Sequence, residues 1–370
     1  MSESLVLDSL EIRNFRAFRH LRIERLGRVN LIAGKNNVGK TCLLEALWLY
    51  ARRGNPQLIG PLLKTRDELD VLSDGIENSK EFAASLKHLF CGRKDIREYP
   101  ASIQLGPIDS ENDNVVVTVV WYAEQTGEQQ RVLRLIEPEE YRLVEAQVPG
   151  LVIQRGKWKF SYPLDRSWSS ISYARLPPEF KEVPCFFVPA GGLAREQIGQ
   201  WWDDIALTDS ESDVLDSLRL IAPKVERVSV TIGQERAIGR IPIVRLKNSN
   251  DPIPLRSLGE GMNRLFGLAL ALVNAKDGLL LVDEIDSGLH YSVQPDLWRL
   301  VFQVAQRLNV QVFATTHSWD CVRGFQQAAQ EDAEAYGMYI RLEERNGEIV
   351  AILFDEDRLG IATREEIEIR

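Results

Sequence analysis

Eight residues, Gly34-Lys35-Asn36-Asn37-Val38-Gly39-Lys40-Thr41, carry the spacing of an oligophosphate-binding loop. Gly34 and Gly39 permit the backbone angles that turn amides inward around a β-phosphate. Lys40 sets a cation between β- and γ-phosphates, and Thr41 offers its hydroxyl to Mg²⁺. The candidate contacts for ATP and Mg²⁺ are Gly34, Asn36, Asn37, Gly39, Lys40, Thr41 and Cys42. A second group ends the apolar run Leu279–Val282: Asp283 is expected to hold Mg²⁺ with Thr41, and Glu284 to activate water as a general base. A third follows Val310–Ala314, where two threonines precede His317, a residue placed to bond a γ-phosphate oxygen or the attacking water. The fourth is the turn Ser257-Leu258-Gly259-Glu260-Gly261, which opens a long apolar helix. Within one subunit, that helix start has no phosphate of its own to bind.

The elements that must position these groups are legible as patterns. Leu279–Val282 is an unbroken apolar run and Val29–Ala33 is apolar except for Asn30, as expected of strands buried on both faces. Leu43, Leu44, Leu47 and Trp48 recur at helical spacing after Thr41, and the loop thus feeds a helix whose positive end faces the same anion. Residues 65–95 read as helical and charged. From Ala101 to Trp168 the runs are short, β-branched or aromatic, and separated by polar turns, the pattern of an antiparallel lobe. Cys185–Ala190 returns to a buried strand, and a hairpin closes the chain near Met338–Phe354. The expected organisation is an N-terminal part of a nucleotide domain (1–95), an inserted β-rich lobe (96–180), and a C-terminal part carrying the remaining motifs (181–370). The fold class is α/β, a P-loop NTPase with a mixed, mainly parallel sheet and flanking helices.

With four motifs in this order, the chain resembles the ABC-type ATPase heads of RecF, the chromosome-maintenance (SMC) proteins and the OLD family. It looks most like the stand-alone "AAA family ATPase" relatives of OLD. Leu10-Glu11-Ile12-Arg13-Asn14-Phe15-Arg16 is similar to their opening strand, and Phe186–Leu193 to the segment in place of their glutamine loop. The resemblance implies a head-to-head homodimer, in which Ser257, Gly259, Glu260 and Gly261 of one subunit cap the γ-phosphate held by the other. It implies catalytic roles for Glu284 and His317. In the aligned signature Gly259 stands where serine is usual, so backbone amides, or Ser257 in a shifted register, meet the phosphate. No glutamine stands at Pro189–Gly192. His290 reads equally as an interface contact or a helix-start residue.

Composition narrows the class. The 370 residues are 44% hydrophobic and 27% charged, with a net charge of −9, which argues against a generally basic nucleic-acid binder. Four scattered cysteines and four histidines offer no zinc pattern and suit the cytoplasm. No apolar run approaches the ~18 residues of a membrane span. There are no extended heptads for a chromosome-maintenance coiled coil, and the stretch after His317 is too short for the Toprim nuclease domain of OLD. The reading that follows is a regulatory ATPase in phage defence or DNA maintenance that gates a separately encoded nuclease. The alternative is a RecF-like clamp, with Arg13, Arg16, Arg19, Arg22, Arg25 and Arg28 as a strip for DNA. Most of those arginines are expected to be exposed positions on amphipathic strands, with Arg16 able to approach a phosphate.

Overall fold

The computed structural model describes residues 5–69, 82, 84–94, 96, 101–126, 131–136, 147–164, 180–232, 239–331, 336–355 and 359–360. The strands are β1 Leu10–Phe15, β2 Phe18–Ile23, β3 Val29–Ala33, β4 Ser102–Gly106, β5 Val115–Thr126, β6 Arg131–Ile136, β7 Gln147–Arg155 and β8 Trp158–Pro163. They continue as β9 Cys185–Val188, β10 Val225–Ile232, β11 Arg240–Leu246, β12 Ile253–Pro254, β13 Leu279–Val282, β14 Gln311–Thr315, β15 Gly337–Arg345 and β16 Glu348–Phe354. The helices used below are α1 Lys40–Ala51, α2 Ile59–Lys64, α3 Arg195–Ile205, α4 Asp209–Ile221, α5 Glu260–Asn274, α6 Gln294–Arg307 and α7 Trp319–Glu331.

Strands that are almost wholly apolar must be covered on both faces, and these strands form the centre of the molecule. The core sheet has the order β16-β15-β3-β14-β13-β9, parallel from β15 to β9 with β16 antiparallel at one edge. All residues of β3, β13 and β14 are buried. Each such Leu or Val contributes ~1.5–3 kcal/mol by leaving water. Register matters more than burial for the site. Ile32 pairs with Thr315, Ala314 with Val282, and Val282 with Val188. The carboxyl ends of four strands therefore lie side by side, where open α/β sheets bind ligands. This is the α/β sheet of a P-loop fold.

One face of the core sheet is covered by α1, which is buried on nearly all sides. Its low polarity follows from that position: it also packs against a second, antiparallel sheet ordered β2-β1-β4-β5-β7-β8, with β6 paired to β5. The strands of the 96–180 segment do not make a sheet of their own. Arg13 of β1 pairs with Gln104 of β4, which makes β1 and β2 the first strands of the same sheet. The other face of the core sheet is covered by α5, α6 and α7, with Trp298, Phe302 and Phe325 in mutual ring contact. Over α5 sit α3, α4 and a small antiparallel sheet β10-β11-β12, a unit without a clear sequence signature.

The helix expected over 65–95 differs from what is found. Of its described parts, residues 82, 84 and 85 are helical, whereas Leu86–Leu89 and Cys91–Arg93 are 3₁₀ turns, the second interrupted by left-handed Gly92 (φ 80°). Much of that stretch lies outside the described residues. Among the described residues no helix is long and apolar enough to cross a membrane.

Tight contact between β9 and β13 fixes the distance between their ends. A Cβ on Gly278, just before β13, would lie 2.1 Å from the carbonyl oxygen of Pro184. The obstacle is backbone and cannot swing away, so Gly278→Ala should destabilise the fold by about 1–3 kcal/mol. Chemical denaturation should show the lowered midpoint; an unchanged midpoint would contradict this close approach.

Candidate functional site

The loop between β3 and α1 is shaped by its backbone. Gly39 has φ 87°, and a Cβ there would stand 2.9 Å from Phe18 Cζ, so both conformation and space require glycine. α1 begins directly after it, with no side chain capping its first amides. Those amides are left for an anion. Lys40 Nζ donates to the carbonyls of Gly34 (2.7 Å) and Lys35 (2.9 Å) within the loop. Burial lowers the Lys40 pKa to about 8, against the opposing pull of Asp283 and Glu284. Phosphate oxygens beside the ammonium restore the charged form, so the free site is primed for an anionic ligand.

The acids come from the adjoining strand. Thr41 Oγ1 donates to Asp283 Oδ2 at 3.1 Å, which brings the hydroxyl and the carboxylate expected to share a metal into contact. Thr315 Oγ1 donates to Asp283 Oδ1 at 2.6 Å and accepts from the Glu284 amide at 2.9 Å. Glu284 adopts a left-handed backbone (φ 47°). For a non-glycine residue this costs ~1–3 kcal/mol. The turn swings Glu284 off the strand direction towards His317, whose Nε2 lies 3.9 Å from Glu284 Oε1. His317 Nδ1 is 3.3 Å from Lys40 Nζ, the separation at which a neutral imidazole accepts from an ammonium. Lysine, histidine and glutamate thus form one continuous polar chain.

Asn36, Asn37, Gly39, Lys40, Thr41, Cys42, Asp283, Glu284 and His317 all line one cavity of about 580 Å³. Ser257, Gly259, Glu260 and Gly261 do not line it. Ser257, Gly259 and Glu260 are exposed, and Glu260 faces a separate recess with Ser287 and Gly288. His290 caps the 3₁₀ turn Tyr291–Val293, with its ring accepting from the Ser292 amide, and so sits at a helix start.

The donor set suits a magnesium-bound nucleoside triphosphate. Among the described residues no three His, Cys, Asp or Glu side chains gather into a metal cage. Mg²⁺ in nucleotide sites requires less: one or two protein oxygens, here Thr41 and Asp283, with phosphate oxygens and water completing six.

Sequence reasoning missed three parts of the site. Arg264 leaves the apolar face of α5 and donates to the carbonyls of Pro189 (2.7 Å), Asp283 (2.9 Å) and Glu284 (3.1 Å). Its only sequence signal is a lone arginine among apolar helix residues. Thr315 was visible as a threonine at a strand end but not as the bridge between the two acids. The third is an ion-pair network at the side of the loop. Arg16 is buried, with Nε 2.6 Å from Glu45 Oε2 and Nη1 2.7 Å from Glu68 Oε2. The Nε–Glu45 contact is close but not aligned as a hydrogen bond. Arg66 donates to Glu45 Oε1 at 2.8 Å. Burial pushes the Glu45 carboxyl up in pKa, and Arg16 and Arg66 pull it back.

The arginine strip must be corrected accordingly. Arg16 and Arg28 are buried, not exposed, the first between two carboxylates and the second against Asn309. Arg13 and Arg22 are exposed but reach Glu11. Arg19 and Arg25 are exposed as well, so most of the six are exposed as expected, and Arg16 lines the phosphate cavity.

Two family models match the segments that carry the site. Residues 6–105 match the AAA ATPase domain family, and residues 224–320 match an AAA domain family described with the AbiEii toxin and type IV toxin–antitoxin systems. An ATP/GTP phosphatase of Helicobacter pylori is 22% identical over 347 residues, 88% of this chain and 89% of that protein. The DNA replication and repair protein RecF of Thioalkalivibrio sulfidiphilus is 44% identical over 47 residues, 13% of each chain. Among solved structures, the SMC head domain from Thermotoga maritima aligns over 94% of this chain and 99% of its own, at 14% identity and a TM-score of 0.44. The site is that of a P-loop ATPase.

Arg264 touches only backbone, so its effect on hydrolysis passes through the acids it holds. Arg264→Ala should lower ATP turnover about 10- to 100-fold, the usual loss when an outer support is removed. ATP affinity should stay within about threefold of wild type, because the phosphate loop is untouched. Arg264→Lys should recover little, since one ammonium cannot span three carbonyls. Steady-state kinetics with equilibrium nucleotide binding separate the two effects, and unchanged turnover would remove Arg264 from the account.

Proposed function

We propose that this ATPase is a two-state regulatory switch whose subunits close head to head on ATP. The observation that carries the proposal is the position of the Gly259–Gly261 helix start. It is exposed and lies outside the cavity that holds its own subunit's Lys40, Asp283, Glu284 and His317. The Gly259 amide donates to the Arg256 carbonyl, but no side chain caps the start of α5. An exposed, uncapped helix start is suited to an anion presented by another molecule, and the γ-phosphate held by a second copy is such an anion.

In the proposed cycle, Lys40 leaves the loop carbonyls for the phosphates, and the amides of residues 36–41 surround the β-phosphate. Mg²⁺, held by Thr41 and Asp283, neutralises phosphate charge when bound. Glu284 orients and deprotonates the attacking water, and His317 bonds the γ-phosphate or that water from the other side. The Glu260 and Gly261 amides of the partner copy complete the shell. Loss of the γ-phosphate removes the contacts that distinguish closed from open, so the subunits separate.

What the switch governs is inferred more distantly. Similarity to stand-alone relatives of the OLD family, together with the toxin–antitoxin description of the family matched at 224–320, supports a role in phage defence. There the closed dimer would license a separately encoded nuclease of Toprim type. The RecF-like alternative, a clamp on DNA, draws on the short RecF match. It is the weaker reading because Arg16 and Arg28 are committed to internal partners.

Glu284→Gln should bind ATP with Mg²⁺, hydrolyse it at least about 100-fold more slowly, and elute as a dimer from a sizing column. Lys40→Ala should remain open under the same conditions. A Glu284→Gln protein that stays monomeric in saturating ATP overturns the switch.

A further inference from the structure

A second cavity, of about 850 Å³, runs from Thr41 and Asp283 along the free edge of β9. Its size falls within the range of small-molecule sites. β9 is the last strand of the core sheet and pairs with β13 alone among the described residues. Leu279 and Asp283 donate to the carbonyls of Pro184 and Val188. Alternation along a parallel ladder therefore turns the Cys185 carbonyl and the Phe187 amide away from β13. Both residues line the cavity, so it presents an acceptor and a donor side by side on one rigid strand.

Aromatic rings stand on both sides of that edge. Trp48 of α1 stacks on Phe187, with centroids 5.3 Å apart and planes at 14°. Trp201 of α3 meets Phe186 edge-on, with centroids 5.0 Å apart. Phe186 and Phe187 point to opposite faces of the sheet, so a flat ring continuing the sheet plane has Trp48 on one side and Trp201 on the other. The neighbouring polar side chains already have partners. Arg52 pairs with Glu182, Glu45 with Arg16 and Arg66, and the Asn274 amide donates to the carbonyls of Trp201 and Leu270. The strand edge is left as the group that would set a ligand's orientation.

We propose that this cavity binds a planar heteroaromatic base of purine size, distinct from the hydrolysed nucleotide. A ring nitrogen accepts from the Phe187 amide, an adjacent exocyclic amine donates to the Cys185 carbonyl, and Trp48 and Trp201 flank the ring. Because Thr41 and Asp283 form the inner end, an occupant touches the residues that bind the metal, and binding is coupled to turnover.

The probe is 2-aminopurine, which carries a ring nitrogen beside an amine and loses fluorescence on stacking against tryptophan. It is titrated into the full chain saturated with Mg²⁺ and the β,γ-imido analogue of ATP. The expected result is saturable quenching, one probe per chain, that persists at full nucleotide occupancy. Trp201→Ala should weaken it about tenfold or more, as for a lost base–aromatic stack. Gln197 is an exposed residue at the rim, and Gln197→Trp should block entry at little cost to folding. Neither substitution should change affinity for the ATP analogue. Displacement of the probe in proportion to nucleotide occupancy would place it in the phosphate site and overturn the proposal. Absence of saturable quenching, or quenching unaltered in both variants, would do the same.

Discussion

The hydroxyl of Thr315 is the joint on which the site depends. It donates to Asp283 and accepts from the amide of Glu284, so one oxygen on β14 fixes both acids at the end of β13. The contact exists because Val282 pairs with Ala314, which places the strand ends level. A slip of one residue would turn Thr315 to the other face of the sheet. The left-handed turn at Glu284 is tolerable for the same reason. Its amide is bonded to Thr315, the Ile285 amide donates to the Thr315 carbonyl, and Arg264 holds the Glu284 carbonyl. Strain that would relax in an isolated strand end is over-determined by three hydrogen bonds.

Legibility of the sequence followed the range of the interactions. β3 and β13 announce themselves because strands covered on both faces are almost wholly apolar, Asn30 being the exception with its amide bonded to backbone, and the loop and acids attach to their ends. For β14 the expected span Val310–Ala314 is one residue early, since the Val310 amide still belongs to the end of α6 through its bond to Ala305. Pairing across long separations was not legible. The runs after Ala101 read correctly as strands, but no local pattern says that Gln104 pairs with Arg13. Arg16 is the arginine expected to approach a phosphate and it lines the phosphate cavity, but no local pattern marks Glu45 of α1 and Glu68 after α2 as its partners. Arg264 was hidden for a related reason. Its partners are backbone carbonyls, which leave no mark on residue type.

The arrangement divides labour in a way that suits a switch. The proposed phosphate capture and metal binding belong to residues on rigid strand ends and the first turn of α1. The proposed sensing of the γ-phosphate belongs to the start of α5, and Arg264, four residues into that helix, returns to the carbonyls of Asp283 and Glu284. Engagement of Gly259–Gly261 by a partner's nucleotide therefore has a direct mechanical route to the acids of its own subunit. This is what is required for two composite sites to fire together.

The central claim is that each ATP is completed by two chains, and subunit mixing tests it most directly. Lys40→Ala spoils the phosphate loop and leaves the α5 start intact. Gly259→Glu puts a carboxylate at the α5 start, where an added Cβ meets open space although φ 108° favours glycine, and leaves the loop intact. The account predicts that each protein alone lacks ATPase activity and that an equimolar mixture regains it, because mixed dimers hold one sound composite site. Undiminished hydrolysis by Gly259→Glu alone, or a mixture as inactive as its components, would contradict it.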